Sequence, residues 1–462
     1  MINFWDFSVW GSFMLFAVLL GSLLVANILK KSVPFLEKSL IPTSVLGGVI
    51  LLAVAFIYKL ITDDVLFDTA FFGGNGSATL ETLTYHTLAL GFIATALKTT
   101  GGKLNKKRTS EIFNTGVTTV STYLMQALLG MGITVIAALI VEGFFSSSGI
   151  LLAFGFGQGT GQAMNYGGIY ENDFGFVGGK SFGLTIAAIG FLCASVGGVI
   201  HLNILRRRGK IKVVNPGKNS IIHSEIQSEN EIPMQESMDK MTVQIALIAV
   251  SYLFAYMLMF GLGNLLPGMK SVVYGFNFLL GVLCATLVKT VLNFLNKKKL
   301  VKRQYTNNFL LTRAGNFFFD IMVVAGIAAI RLDMLEKYWG IIAILVVVGT
   351  LSTYAYNYFV AKKLFPAYAE EQFLAMYGML TGTASTGVIL LREIDGEFRT
   401  PVSDNLVYQN FPAIVFGFPM MLLATLAPQK PILTLVLFAV LLIVMNVILF
   451  RSFIFKKKKS KR

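Results

Sequence analysis

The sequence predicts an all-α polytopic membrane protein of about 11 transmembrane helices, on three observations: its composition, the spacing of its apolar runs, and the clustering of basic residues at the ends of those runs. Of 462 residues, 55% are apolar, 13% aromatic and only 14% charged, and the mean hydropathy is +0.69. Soluble domains hold roughly 25% charged residues, so this chain is made to dissolve in lipid.

Apolar runs of about 20 residues, the length that spans the hydrocarbon core, fall near 7 to 29, 41 to 61, 84 to 98 (short), 112 to 141, 181 to 205, 241 to 265, 271 to 293, 314 to 332, 339 to 361, 406 to 428 and 431 to 450. The net charge of +15 reads as a cytoplasmic excess at span ends, with no nucleic-acid partner. Cys193 and Cys284 both lie inside apolar segments, which leaves a disulfide framework or thiolate metal site unsupported. The stretch MINFWDFSVW lacks the basic flank and cleavage site of a signal peptide, so the first span is expected to be retained.

Basic residues mark the cytoplasmic ends. Lys30, Lys31 and Lys38, then KTTGGKLNKKR, RRRGKIK, KKKLVKR, Lys362 with Lys363, and the closing KKKKSKR all fall on this side. The stretches 62 to 82 and 142 to 149 hold no Lys or Arg and face outward. This topology puts the N-terminus outside and the C-terminus in the cytoplasm of a multi-pass protein of the cell (inner or plasma) membrane.

Parity then bears on GFGQGTGQAMNYGGIYE, from Gly155 to Glu171, where glycine fills six of seventeen positions. The chain is outside near Gly143 and inside at Arg206, and the span 181 to 205 supplies that one crossing. The stretch 149 to 171 must therefore enter and leave on the same side, as a re-entrant loop. By the same count FLAMYGMLTGTASTGVILLREID, 373 to 395, enters and leaves from inside.

The two loops correspond: Gly159-Thr160 precedes IYEND, and Gly382-Thr383 precedes LREID. Each half carries a long span, a glycine-bearing span (Gly47-Gly48; Gly275 and Gly281), a short third span, a fourth span, a Gly/Thr/Ser loop and a fifth span. One half begins outside and the other inside, which makes them inverted five-helix repeats: 1–205, and 241–428. A polar cytoplasmic linker, 206–240, joins them, and 429–462 adds an extra helix and a basic tail. Inverted halves with broken helices near the midplane are a signature of secondary transporters.

Non-helical backbone survives at membrane depth only where protein or a watered cavity surrounds it. There, loop carbonyls can coordinate a desolvated cation, and the N–H groups of a following half-helix can hold a carboxylate. The ligand candidates in the first loop are Gly157, Gln158, Gly159, Thr160, Gly161, Gln162 and Asn165; in the second they are Thr381, Gly382, Thr383, Ser385 and Thr386. These are hard oxygen donors, suited to an alkali cation. Small residues at ordinary helix contacts are the structural alternative for any one of them; the matched pair of clusters is the signal. Asp320, ionisable within an apolar span, is a further candidate. Arg392, Glu393 and Asp395 read as a cytoplasmic rim, and His86 as an interfacial residue.

IPTSVLGGVILLAVAFIYK, LTYHTLALGFIATALK, GILLAFGFGQGTGQAMNYGGIYENDFG, SFGLTIAAIGFLCASVGGVIHLNIL and YGMLTGTASTGVILLREIDGEF stand in an order that resembles the sodium/glutamate symporters, over about residues 20 to 428. The resemblance implies a two-repeat fold with opposed loops, Na+-coupled import of glutamate, and a homodimer with a moving transport part. No cofactor is implied beyond Na+ as the coupling ion, held by Thr160, Thr383 and loop carbonyls. The pattern departs at Phe156-Gly157-Gln158-Gly159-Thr160, where the family reads Gly-Gly-His-Gly-Thr, and at Gly382-Thr383-Ala384-Ser385-Thr386, where it reads Gly-Ala-Thr-Pro-Thr.

The leading expectation is therefore Na+-coupled symport of an acidic amino acid by alternating access, and not an enzyme. The alternative on the same fold is transport of another organic anion with H+ coupling or antiport, Asp320 carrying the proton. A membrane-embedded enzyme would need convergent metal ligands or an acid–base set, which the spacing does not supply. A sensory role would need a signalling domain that the linker is too short to hold.

Overall fold

The computed structural model describes residues 3–98, 106–209, 231, 238–267, 270–300, 303–395 and 399–454, with backbone alone at Ser8, Ser271, Val272, Ser385, Val407 and Phe411. Most of the 206–240 linker, the basic tail from 456, and parts of the basic runs KTTGGKLNKKR and KKKLVKR lie outside the described residues. Among those described, every regular element is helical, apart from one isolated bridge between Glu231 and Gln304.

Nine described helices are long and apolar enough to cross a membrane, the make-up of a polytopic membrane protein. They are α1 (Phe7–Ser32), α2 (Thr43–Thr62), α4 (Lys106–Ile140), α7 (Gly179–Arg207), α8 (Lys240–Leu265), α9 (Asn277–Lys297), α10 (Asn308–Ala328), α11 (Trp339–Leu364) and α15 (Pro431–Leu449). Two of the eleven predicted runs fall short of that standard. The run 84 to 98 lies in α3 (Gly76–Leu97), where threonines, Glu81, Tyr85 and His86 dilute the apolar residues. The run 406 to 428 is interrupted at Gln409, leaving Val402–Tyr408 and the 17-residue α14 (Asn410–Leu426), which has Pro419 inside it. The other helices are α5 (Leu151–Gln158), α6 (Thr160–Phe174), α12 (Ala369–Thr381) and α13 (Ala384–Arg392).

The chain forms two compact units, and each draws on both sequential halves. The first comprises Met1–Leu23, Gly47–Lys103 and Pro216–Ala329; the second comprises Leu24–Leu46, Leu104–Asn215 and Ile330–Arg462.

In the first unit small residues set the helix spacing. A Cβ on Gly91 of α3 would meet the Phe319 ring of α10 at 2.6 Å, and one on Gly281 of α9 would meet Ile93 at 2.9 Å. Such close approach maximises van der Waals contact where lipid offers no hydrophobic drive between helices. Ile93, Ala94, Ile248, Ala285 and Leu311 fill the seam. The polar groups of α3 are paired within the unit. Tyr85 Oη donates to the Tyr274 carbonyl at 2.7 Å, and Asn277 Nδ2 donates to the Tyr85 carbonyl at 2.9 Å. His86 Nδ1 and Tyr252 Oη share a hydrogen bond at 2.7 Å. Lys289 Nζ donates to the Ala96 and Lys98 carbonyls at 2.6 and 3.0 Å, placing a cation where the C-terminal end of a helix favours one.

The second unit packs the short helices against α4 and α7. Glycines on α7 admit backbone: a Cβ on Gly190 would lie 2.6 Å from the Thr381 carbonyl and 2.8 Å from the Phe156 ring. On Gly155 of α5 it would lie 3.0 Å from Ala187 N of α7. The closing helix α15 is tied in by Tyr356 Oη donating to Asn446 Oδ1 at 2.8 Å, and Arg451 just beyond it donates to Asn114 Oδ1 of α4 at 2.9 Å.

Candidate functional site

Both predicted Gly/Thr clusters become breaks at which the chain doubles back, and both lie in the second unit. Helix α5 stops at Gln158 and α6 begins at Thr160, with Gly159 between them at φ 81° and ψ −172°. Only glycine adopts that region without strain. The Phe154 ring, before the break, stacks on the Tyr166 ring, after it, with centroids 3.8 Å apart. Tyr166 and Tyr170 then donate their hydroxyls to the Met421 and Ala424 carbonyls of α14, at 3.0 and 2.7 Å.

The second cluster turns in the same way. Helix α12 stops at Thr381, and Thr383 caps α13, its Oγ1 accepting from Thr386 N at 3.4 Å. A Cβ on Gly378 would stand 2.8 Å from Gly387 Cα, so the two arms are packed backbone to backbone. The tips of the two hairpins approach each other: a Cβ added to Gly159 would lie 3.7 Å from Thr383 Cγ2. N-terminal ends of α6 and α13 and C-terminal ends of α5 and α12 therefore converge on one region. Helix N-termini offer free N–H groups and a positive dipole end, C-termini free carbonyls and a negative one, so one region can hold an anionic group and a cation together.

Of the predicted residues, Gly157, Gly159, Thr160, Gly161, Thr381, Gly382 and Thr386 are buried at these tips, while Gln158, Asn165 and Thr383 are half-buried. The side chain of Ser385 lies outside the described residues. Asp320 is not in the same unit: it is exposed on α10, in the first. Gln162, in the first turn of α6, is 1% exposed, and neither Oε1 nor Nε2 has a hydrogen-bond partner among the described residues. An unpaired buried amide costs roughly 1–3 kcal/mol for each group left unsatisfied, an expense expected where a ligand supplies the missing bonds. The rim residues Glu393 and Asp395 take protein partners: Arg206 Nη2 donates to Glu393 Oε2 at 3.1 Å, and Arg399 N and Thr400 N donate to Asp395 at 2.8 and 2.9 Å.

Sequence reasoning missed the polar face of α4. Thr115, Thr118, Thr119, Thr122 and Gln126 are all buried, and their helical spacing puts them along one side. Gln126 Nε2 donates to Thr353 Oγ1 and to the Leu380 carbonyl, both at 2.8 Å, and Thr119 Oγ1 donates to Gln409 Oε1, also at 2.8 Å. A second missed cluster lies in the same unit. His201, 4% exposed, pairs through Nδ1 with Tyr354 Oη at 2.6 Å and through Nε2 with Glu370 Oε2 at 3.0 Å, and Lys362 Nζ holds Glu370 Oε1 at 2.5 Å. Among the described residues no three His, Cys, Asp or Glu side chains gather as a metal site; the converging groups at the tips are hydroxyls, amides and backbone.

No protein-family model matches the chain, and comparison with curated proteins gave no match.

Proposed function

We propose that the protein is a secondary active transporter that couples inward Na+ movement to uptake of glutamate or a related acidic amino acid by alternating access. In this reading each hairpin is a re-entrant segment, the two enter from opposite faces of the membrane, and the halves 1–205 and 241–428 are inverted repeats. The observation that carries it is the approach of the Gly159 and Thr383 tips, with Gln162 in the first turn beyond Gly159, a buried amide with no partner among the described residues. Irregular backbone of this kind is tolerated within a bilayer only where it lines a cavity, and paired broken helices are how secondary transporters build a substrate and ion site. Loop carbonyls with Thr160 and Thr383 serve as Na+ ligands, and the N-termini of α6 and α13 receive the carboxylates. The chain works as a homodimer in which one part moves, and its chemistry is transport without bond making.

Purified protein in liposomes tests this directly. Labelled glutamate should accumulate under an inward Na+ gradient and not under an inward K+ gradient; no uptake in either gradient sinks glutamate as the substrate.

A second reading, H+ coupling or antiport of another organic anion, has its own support in the His201–Glu370–Lys362 cluster. His201 is buried and hydrogen-bonded to Glu370 in the unit that carries both hairpins, whereas Asp320 lies in the other unit. Uptake driven by a proton gradient in the absence of Na+ and abolished in His201→Gln would establish it.

A further inference from the structure

Gln126 on α4 and Asn357 on α11 are 0% and 1% exposed, and each has committed its whole donor capacity to the protein. The two N–H groups of Gln126 go to Thr353 Oγ1 and the Leu380 carbonyl, both at 2.8 Å. Those of Asn357 go to the Thr353 carbonyl at 2.9 Å and to Thr122 Oγ1 at 3.4 Å. Chemistry fixes which end of each amide faces which way, because the Leu380 and Thr353 carbonyls only accept and must be met by an NH2 group. One amide oxygen is left over on each side chain. Gln126 Oε1 and Asn357 Oδ1 are both buried, and neither has a hydrogen-bond partner among the described residues.

The polarity of what is missing follows. Two buried oxygens that can only accept call for a donor or a cation and repel an anion, so they are not part of a carboxylate pocket. Thr353 ties the pair together, its side chain meeting Gln126 and its carbonyl meeting Asn357. Gln126 also reaches both hairpins: its amide nitrogen holds the Leu380 carbonyl, just before Gly382, and a Cβ on Gly157 would lie 3.1 Å from its Oε1. The oxygen thus stands beside the last turn of α5, whose carbonyls have no helical partner. Neutral hard oxygens of this kind suit a monovalent ion, since nothing among them balances a second charge.

We infer that Gln126 Oε1 and Asn357 Oδ1 belong to a subsite for a monovalent cationic centre, supplied either by a desolvated alkali ion such as Na+ or by the ammonium group of an amino-acid substrate. The inference rests on the transport reading above and adds two ligands, on α4 and α11, that lie outside both Gly/Thr clusters.

The test uses full-length protein in lipid nanodiscs. The thermal midpoint is followed as NaCl replaces choline chloride at constant ionic strength, and then as glutamate, or glutarate, which lacks the ammonium group, is added at saturating Na+. The variants are Gln126→Leu and Asn357→Leu. If the oxygens hold Na+, half-saturating Na+ rises tenfold or more in both variants. If they hold the ammonium group, the Na+ curves superimpose on wild type while glutamate affinity falls tenfold or more and glutarate is unmoved. Na+ and glutamate responses that both match wild type overturn the subsite and leave the transport reading standing. A wild-type protein that answers neither Na+ nor glutamate overturns that reading and the subsite with it. Should a leucine variant fail to give monodisperse protein, Gln126→Glu and Asn357→Asp retain an oxygen at the position and add charge; unmoved Na+ and glutamate responses in these overturn the subsite equally.

Discussion

Gly159 faces the methyl group of Thr383 across room for one more carbon: a Cβ added to the glycine would stand 3.7 Å from Thr383 Cγ2, ordinary van der Waals contact. Space is therefore not what excludes a side chain at this tip. Backbone conformation is, since φ is 81° and ψ −172°. Gly159→Ala is expected to destabilise by about 1–3 kcal/mol through strain and to lose uptake with it. Gly132, a helical glycine of α4 with nothing within 4 Å of an added Cβ, is the control, and its alanine variant should be neutral or gain about 0.5–1 kcal/mol. Thermal midpoints of the two proteins in detergent decide; equal midpoints would remove strain from the account of the turn.

Gln162 should separate stability from function. Replacing its unpaired amide with a leucine of similar size removes two unsatisfied groups, each costing roughly 1–3 kcal/mol, so Gln162→Leu is expected to hold or raise the thermal midpoint while uptake falls at least tenfold. A residue serving packing alone would lose both together. Measuring the midpoint and initial uptake rate on one preparation tells the two apart.

Two adjacent carboxylates should respond to pH with opposite signs. Burial alone would raise the Glu370 carboxyl, but hydrogen bonds from Lys362 and His201 outweigh it and hold the group below its usual 4.5. A depressed acid stabilises the folded state above its unfolded value, and that stability is lost as pH falls below about 4.5 through the folded value. For Glu371, burial raises the carboxyl, with Asp395 and Glu370 adding to it. Its ionisation opposes folding, so stability drops as pH rises from its unfolded to its folded value. Glu370→Gln should lower the midpoint at pH 7 and flatten the acid limb, and Glu371→Gln should raise the midpoint at pH 7. Thermal melts from pH 3 to 8 check both.

Gly190 holds α7 against the second hairpin. An alanine there would bring its Cβ to 2.6 Å from the Thr381 carbonyl, and backbone cannot swing aside as a flexible side chain does. Overpacking of this kind costs typically 1–3 kcal/mol, and the displaced atom is one residue from the Gly382 turn. Gly190→Ala is expected to reduce uptake more than tenfold at unchanged expression, read as initial rate per mole of reconstituted protein.

Spans and both breaks were legible in the sequence because they are written locally, as long apolar runs and as glycine beside threonine. The interruption at Gln409 left a signal that was passed over, Asn410 and Pro412 at the start of α14, because the apolar run that follows is long enough to hide it. The polar face of α4 left a signal, Thr115, Thr118/Thr119, Thr122 and Gln126 at helical spacing, but a lone threonine in lipid can bond its own helix and looks inert. What makes Gln126 matter is Thr353 and Leu380, far along the chain. His201 had still less to show: within GGVIHLNIL nothing hints at Glu370, 169 residues on. Asp320 drew notice as a charge in an apolar run, and the fold puts it in the unit without the hairpins.

The pairing of α3 bears on how the chain is made. Its polar groups and its C-terminal carbonyls meet Tyr252, Tyr274, Asn277 and Lys289, which are translated 166 to 193 residues later. At 5–20 residues per second a ribosome needs roughly 8–40 s to supply them. Polar side chains carry a real cost of insertion, so a nascent chain that delivers α3 to the bilayer does so before the groups that pair its polar atoms exist. Biogenesis of the first unit thus depends on the second half of the message, and a truncation after the linker strands α3 for good.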